Sequence, residues 1–185
     1  MIIKFLKSIL LISAGLFAFN ANASYIDSDG HLILDFEEFN YEMVDNYGGI
    51  NWTNALGVSA PGFGVDDNNA AVNIPFFGGM ILQSDDVDGF NLYDAYFKTD
   101  IDTILSFTGT DVNGASLLID SLALNASDGW TQVTFEIFEI DTFFIGATGG
   151  ANFAIDNVDV PEPTTLALFS MALLGLAFSR RNRKV

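Results

Sequence analysis

Residues 132–137, Gln-Val-Thr-Phe-Glu-Ile, alternate strictly between polar and apolar side chains. Alternation with a period of two is typical of a β-strand that turns one face to a core and the other to water. Residues 32–37, Leu-Ile-Leu-Asp-Phe-Glu, show a similar pattern. Short runs of aliphatic, aromatic and threonine residues predict further strands at 71–76, 91–98, 103–108, 116–124, 142–146 and 152–160.

Turn-forming pairs separate these runs. They are Asp29-Gly30, Gly48-Gly49, Asn68-Asn69, Gly78-Gly79, Asp88-Gly89, Asn113-Gly114, Asp128-Gly129 and Gly149-Gly150. Many short strands bounded by turns at regular spacing are the signature of an all-β fold. No helical stripe of useful length interrupts them. The sequence therefore predicts a single β-sandwich domain over residues 24–160.

The charge of this domain excludes several functions. The chain has 185 residues and a formal charge of −17, but Lys98 is the one basic residue between 24 and 160, against 23 acids. That segment has a charge of −22 over 137 residues. Binding to nucleic acid or to anionic lipid requires several Lys or Arg side chains, so we expect no nucleic-acid partner. The absence of cysteine excludes disulfides and thiolate nucleophiles.

The N-terminal 23 residues read as a secretory signal. Lys4 and Lys7 precede an apolar run at 8–19, and small residues at Ala21 and Ala23 form a cleavage pattern. Cleavage is expected between Ala23 and Ser24. An uncleaved membrane anchor is the alternative, although the apolar run is short for a membrane span.

The C-terminal segment, 161–185, has three parts. Pro161, Glu162 and Pro163 precede an apolar stretch at 164–178, and a basic cluster follows at 180–184. The apolar stretch predicts a short transmembrane helix. Because positive charge stays on the cytoplasmic side, the basic tail would face inward and the β-domain outward.

This arrangement resembles the PEP-CTERM sorting signal of exported bacterial proteins. The resemblance implies that Pro161, Glu162 and Pro163 are recognised by a membrane-embedded exosortase-type enzyme. It also implies that the helix is a temporary tether in the inner membrane, and that the protein then reaches the cell surface or an extracellular polysaccharide matrix. The alternative is a plain anchor that is never processed.

The domain also loosely resembles galactose-binding-like jelly rolls, which serve as carbohydrate-binding modules. The matching stretches are 34–37 (Leu-Asp-Phe-Glu), 89–97 (Gly-Phe-Asn-Leu-Tyr-Asp-Ala-Tyr-Phe) and 153–158 (Phe-Ala-Ile-Asp-Asn-Val). The resemblance implies a jelly-roll-like sandwich in which Glu37 and Asp156 hold a structural Ca²⁺. In the alternative, Asp156 caps a turn or accepts backbone N–H groups.

Four aromatic residues are candidates for stacking on sugar rings: Trp52, Trp130, Tyr93 and Tyr96. Each could instead be an ordinary core residue, because tryptophan and tyrosine bury most of their surface in most proteins. No serine elbow or phosphate-binding glycine loop is present, and His31 is expected to be a surface residue after a turn. No catalytic residue is assigned.

The leading hypothesis is therefore an exported, sorted surface or matrix protein with a non-enzymatic β-sandwich domain. One alternative makes the domain a carbohydrate-binding module for extracellular polysaccharide. A weaker alternative is a glycoside-active enzyme that uses two carboxylates.

Overall fold

The computed structural model describes residues 24–26, 31–59, 64–65, 69–74 and 79–161. The predicted signal peptide at 1–23 and the predicted helix at 164–178 lie outside the described residues, as do Glu162 and Pro163. Across the described ranges, no helix has the length and apolar character needed to span a membrane.

The described residues form antiparallel strands, which confirms the all-β prediction. They are β1 (Ser24–Ile26), β2 (His31–Leu34), β3 (Glu42–Tyr47), β4 (Ile50–Ser59), β5 (Asn69–Asn73), β6 (Met80–Ser84), β7 (Phe90–Thr99), β8 (Thr103–Asp111), β9 (Ser116–Leu124), β10 (Thr131–Ala147) and β11 (Phe153–Pro161). Short 3-10 turns occur at Ala126–Asp128 and Thr148–Gly150.

Six of these strands close into a ring. The hydrogen-bonded order is β4, β6, β10, β7, β11, β5 and back to β4. Three extensions leave the ring: β1 and β2 continue from β11, β3 pairs with β4, and β8 and β9 continue from β10. Closure gives each ring strand two partners, so the ring itself presents no open sheet edge.

A single hydrophobic core fills the ring, and every ring strand contributes to it. Its largest fully buried side chains are Tyr47, Phe36, Phe97, Phe143, Phe153, Leu34, Ile50, Met80, Leu82, Leu92, Leu105 and Ile140. Aromatic rings pack edge-on at its margin, where the partly buried Phe135 lies 5.0 Å from Phe107 and 5.5 Å from Phe143 between ring centroids. Such edge-to-face pairs contribute beyond the area that they bury.

β10 is the ring strand between β7 and β6, and its two parts pair with different strands. Its first part pairs with β7 and its second part with β6 and β8. Two register shifts against β7 coincide with left-handed backbone at Glu136 (φ 52°) and Glu139 (φ 57°). Because a β-bulge bends its strand, these two bulges redirect β10 from one side of the ring to the other. The strands predicted separately at 132–137 and 142–146 are therefore one continuous strand.

β11 contains a comparable irregularity. Asn157 has a φ of 45°, and the register with β7 shifts between Asp156 and Asp159. The extra residue changes which positions face inward, so Ile155 and Val158 both reach the core. Asp156 and Asp159 consequently point away from the core.

Four strands, β1, β3, β4 and β6, were not predicted from the sequence. β4 reads Ile-Asn-Trp-Thr-Asn-Ala-Leu-Gly-Val-Ser, in which Asn, Ala and Gly, types that are depleted in strands, interrupt the strand-favouring residues. Asn54 even has left-handed backbone (φ 64°), and its side-chain Nδ2 donates to the Gly79 carbonyl, 3.1 Å away. Tertiary pairing with β5 and β6 overrides the weak local preference of this stretch.

Candidate functional site

One surface combines aromatic rings with polar groups, and we call it the outer face. It is the side of β7 and β10 that points away from the core, together with Trp130, which directly precedes β10. Its members are Tyr93, Asp94, Tyr96, Lys98, Trp130, Gln132, Thr134 and Phe138.

Strand register places these side chains on one side. Tyr96 pairs with Gln132 and Asp94 pairs with Thr134. Residues directly opposite each other in an antiparallel pair point to the same face. The intervening Ala95 is fully buried, so its neighbours in β7 must point outward.

Two contacts organise the polar part of the outer face. Gln132 Nε2 donates a hydrogen bond to Asp94 Oδ2 across the strands, 2.9 Å away. Lys98 Nζ lies 5.8 Å from the centroid of the Trp130 ring, which is a cation–π distance. Both contacts hold long side chains in place. Less side-chain conformational entropy would therefore be lost when a ligand binds.

The aromatic part runs across three strands. The His31 ring on β2 lies 4.8 Å from the Tyr93 ring, and Tyr93 meets Phe138 edge-on with centroids 6.0 Å apart. The Phe138 side chain is 52% exposed, which is unusual for so large an apolar group. The outer face thus offers flat rings beside a carboxylate, an amide and an ammonium group. This combination suits a ligand that has apolar faces and many hydroxyls.

The four predicted stacking residues separate into two groups. Tyr93, Tyr96 and Trp130 lie on the outer face and are partly exposed. Trp52 is only 3% exposed, packs edge-on against Phe36 at 5.1 Å, and donates its Nε1–H to the Tyr47 carbonyl. Trp52 is therefore not open to a sugar ring in this fold, because its side chain is buried in the core.

Phe138 was missed, although the sequence holds a signal for it. It continues the polar positions 132, 134 and 136 of the alternating strand, so an apolar residue there should have been suspected of lying outside the core.

His31 was expected at the surface and is partly buried: its Nδ1 lies 2.9 Å from Asp159 Oδ2.

The predicted metal residues, Glu37 and Asp156, approach the same short segment. Glu37 Oε1 accepts a long hydrogen bond, 3.4 Å, from the Asn69 backbone N–H, and Asp156 Oδ2 accepts one from Val65 N–H at 2.7 Å. Gly64 lies between the two sides: a Cβ there would fall 2.5 Å from the Asn69 carbonyl oxygen and 3.0 Å from Asp156 Oδ2.

Asn69 supplies an observation that bears on a cation. Its Nδ2 donates to the carbonyls of Glu37 and Phe39, at 2.7 and 2.9 Å, which fixes the orientation of the amide. Its Oδ1 is buried and accepts no hydrogen bond. Two carboxylates and one amide oxygen fit the preference of Ca²⁺ for oxygen ligands. Among the described residues no three His, Asp or Glu side chains cluster, so such a site would depend on the Asn69 oxygen.

The alternative for Asp156 has direct support as well. Its two carboxylate oxygens accept backbone N–H groups, from Val65 at 2.7 Å and from Asn157 at 2.8 Å. The second of these bonds lies at the bulge of β11, where Asn157 has left-handed backbone. The acidic turn at 84–89 is also closed by its own hydrogen bonds, from Asp86 N–H to Ser84 Oγ and from Asp88 N–H to Asp86 Oδ1.

Among solved structures, the chain is similar to the CBM22-1 xylan-binding domain of Paenibacillus barcinonensis Xyn10C. The identity is 14% and the TM-score 0.43, over 66% of this chain and 90% of that one. It is also similar to the CBM22-1–GH10 modules of Clostridium thermocellum Xyn10B, with 15% identity and a TM-score of 0.46, over 72% of this chain and 28% of that one. A third likeness is to a CBM29-2 mutant, with 13% identity and a TM-score of 0.40, over 66% and 88% of the two chains.

At the level of sequence, no curated protein matches the chain. Residues 159–183 do match a family, described as the PEP-CTERM protein-sorting motif. The predicted resemblance at the C-terminal end is thereby confirmed: this chain carries a PEP-CTERM sorting motif, and that motif begins at Asp159, inside β11.

Proposed function

We propose that the protein is exported, is processed by an exosortase-type enzyme, and then binds carbohydrate at the cell surface or in an extracellular matrix through its outer face. The sorting motif at 159–183 supports the first part. The predicted signal peptide, cleaved between Ala23 and Ser24, gives the same direction of export. In this proposal the apolar stretch at 164–178 holds the chain in the inner membrane until it is processed.

The sorting part is tested by replacing Pro161, Glu162 and Pro163 with alanine in the full chain. The expected result is full-length protein retained in the membrane fraction of cells that make an exosortase-type enzyme. A variant with alanines at the exposed turn 86–88 controls for expression and export. Unchanged release of the triplet variant would overturn sorting through Pro-Glu-Pro.

The binding part depends on one observation: Tyr93, Tyr96 and Trp130 share a face with Asp94 and Gln132. Aromatic faces stack on the apolar faces of sugar rings, while carboxylate and amide groups bond their hydroxyls. The −22 charge of the domain opposes polyanions, so we expect a neutral polysaccharide. Binding requires no catalytic group, and the proposal is for a non-enzymatic domain.

A glycan array tests this part. Trp130→Ala should abolish binding that the wild-type chain shows, whereas Tyr41→Ala should retain it. Tyr41 is a matched control because its ring is 64% exposed and lies outside the outer face. Equal losses in both variants, or no binding to any glycan, would contradict a carbohydrate site here. Release of reducing ends from a bound glycan would instead favour the glycoside-active alternative.

We also propose that Glu37, Asn69 and Asp156 hold a structural Ca²⁺. The buried, unbonded Asn69 Oδ1 is the observation that favours it. A bound cation would neutralise the negative charges of Glu37, which follows β2, and of Asp156 on β11, and would so stabilise the fold. EDTA should lower the melting temperature of the wild-type protein, and Asn69→Ala should remove that effect. The same sensitivity to EDTA in both proteins would contradict this site.

A further inference from the structure

The sorting motif overlaps the folded domain. The matched segment begins at Asp159, whereas β11 continues to Pro161. All three shared residues pair with other strands: Asp159 with Ile33, Val160 with Leu32, and Pro161 with His31. The first part of the motif is therefore a structural strand of the domain.

Side chains reinforce this pairing. Asp159 is 7% exposed, and its Oδ2 lies 2.9 Å from His31 Nδ1. Val160 is 5% exposed and belongs to the core. An enzyme that recognises this stretch in extended form cannot contact the Asp159 and Val160 side chains in the folded domain, because Asp159 is bonded to His31 and Val160 is buried in the core.

Among the three strands that pair with β11, β2 is the one that can separate without opening the ring. It lies outside the ring, between β11 and the terminal strand β1, whereas β11 is also held by β5 and β7. β1 begins at Ser24, which is the predicted first residue of the mature chain, and pairs with β2 along its whole length. The start of the mature chain thus forms the cover for the start of the sorting motif.

From this placement we propose that β2 and the sorting enzyme compete for residues 159–161. The enzyme acts on the form of the chain in which the β1–β2 hairpin has separated from β11, and the His31–Asp159 contact opposes that separation. Pairing with β2 then limits the rate of processing once the domain has folded. The inference rests on the sorting part of the proposed function.

A cross-link tests the competition directly. The chain has no cysteine, so Leu32→Cys with Val160→Cys introduces a single disulfide between register partners. Paired Cα atoms in antiparallel strands are about 4.5 to 5.5 Å apart, which a disulfide spans. Thr53→Cys with Ile81→Cys, also register partners, places the same cross-link between β4 and β6 as a control.

We expect the Leu32–Val160 cross-link to leave most of the protein full-length in the membrane, and its reduction to restore processing. The control cross-link should not change processing. Equal processing of both oxidised variants would overturn the competition. If the triple-alanine triplet variant is processed as well, the sorting function itself fails; if the triplet is required but the Leu32–Val160 cross-link has no effect, only the present inference fails.

Hydrogen exchange on the purified full chain gives a second readout that needs no enzyme. His31→Leu removes the His31 hydrogen bond to Asp159, so amides of residues 32–34 and 158–160 should exchange about tenfold faster or more, the change that loss of a hydrogen bond to a charged group produces. Amides of Phe143 and Ile145 in the ring should keep their wild-type rates. Unchanged exchange at 158–160 would show that His31 does not hold the hairpin, and would overturn its role.

Discussion

One face of β7 packs in the core and the other forms part of the outer face, so adjacent residues of this strand lie in opposite environments. Phe97 is completely buried, with its ring 5.5 Å from Phe107 and 6.1 Å from Phe135. Tyr96, one peptide unit earlier, lies on the outer face opposite Gln132. Inside the ring, the volume and shape of the core determine which side chain a position accepts. On the outer face, the contacts that polar atoms and exposed rings can make determine it. The comparison separates residues that maintain the fold from residues that are available for a ligand.

The largest expected effect tests the inner face. Phe97→Ala removes a fully buried ring and should lower the free energy of unfolding by about 3 to 5 kcal/mol, measured by chemical denaturation. Tyr96→Ala is the matched variant. It should cost about 1 kcal/mol or less while it lowers glycan binding. A similar loss of stability in both variants would show that the outer face is part of the core and not a separate surface.

The bulges of β10 connect the two faces, and a smaller effect tests them. Glu136 has left-handed backbone, which costs an ordinary L-residue about 1 kcal/mol and costs glycine little. Glu136→Gly should therefore raise the denaturation midpoint or leave it unchanged, while Glu136→Val should lower it.

Thr134→Gly supplies the control, because Thr134 lies in regular register with Asp94. Glycine there should destabilise the protein, as it does within strands generally. If glycine destabilises equally at 134 and 136, then Glu136 is not a strained bulge residue.

The smallest effect lies at the boundary between core and solvent. Asp35 Oδ1 accepts a hydrogen bond from the buried Tyr47 hydroxyl at 3.2 Å, and burial is the main cause that raises the pKa of Asp35 above its usual 3.8. A carboxyl with a raised pKa binds its proton more readily in the folded state. Its ionisation therefore destabilises the fold at neutral pH, and this cost disappears as the pH falls through the raised pKa toward 3.8.

Asp35→Asn keeps an acceptor for Tyr47 and removes the charge. The variant should be more stable than wild type at pH 7 by less than about 1 kcal/mol, because water screens this half-exposed site. The difference should shrink as the pH is lowered toward 4. A difference that is independent of pH, measured by thermal unfolding from pH 4 to 7, would contradict a burial cost at Asp35.

How far the sequence predicts this molecule depends on where the alternation is regular. Val133, Phe135 and Ile137 pack against the core, and Gln132, Thr134 and Glu136 are exposed, as their alternation predicts. The irregular places were not predictable in the same way. The bulge at Asn157 is set by the register with β7 and by the Asp156–Asn157 contact, and a period-two pattern carries no information about either.

The candidate site shows the same division. Composition identified tyrosine and tryptophan as stacking candidates, but residue type does not distinguish Trp52 from Trp130. Trp52 is buried because β4 lies in the ring and Phe36 and Tyr47 pack around it, which are non-local facts. Asn69 was predicted only as a turn residue, because its orphaned oxygen becomes visible only when Glu37 and Phe39 fold against β5.

β11 also determines how the domain would respond to mechanical force. A pull on the chain beyond Pro161 enters the fold along this strand, which is paired with β2, β5 and β7. The ladder hydrogen bonds to these neighbours lie across the strand axis, so a pull along that axis loads them in shear, and several hydrogen bonds must break together. The strand that contains the start of the sorting motif is therefore braced by three neighbours against tension, as a protein held by its C-terminal end would require.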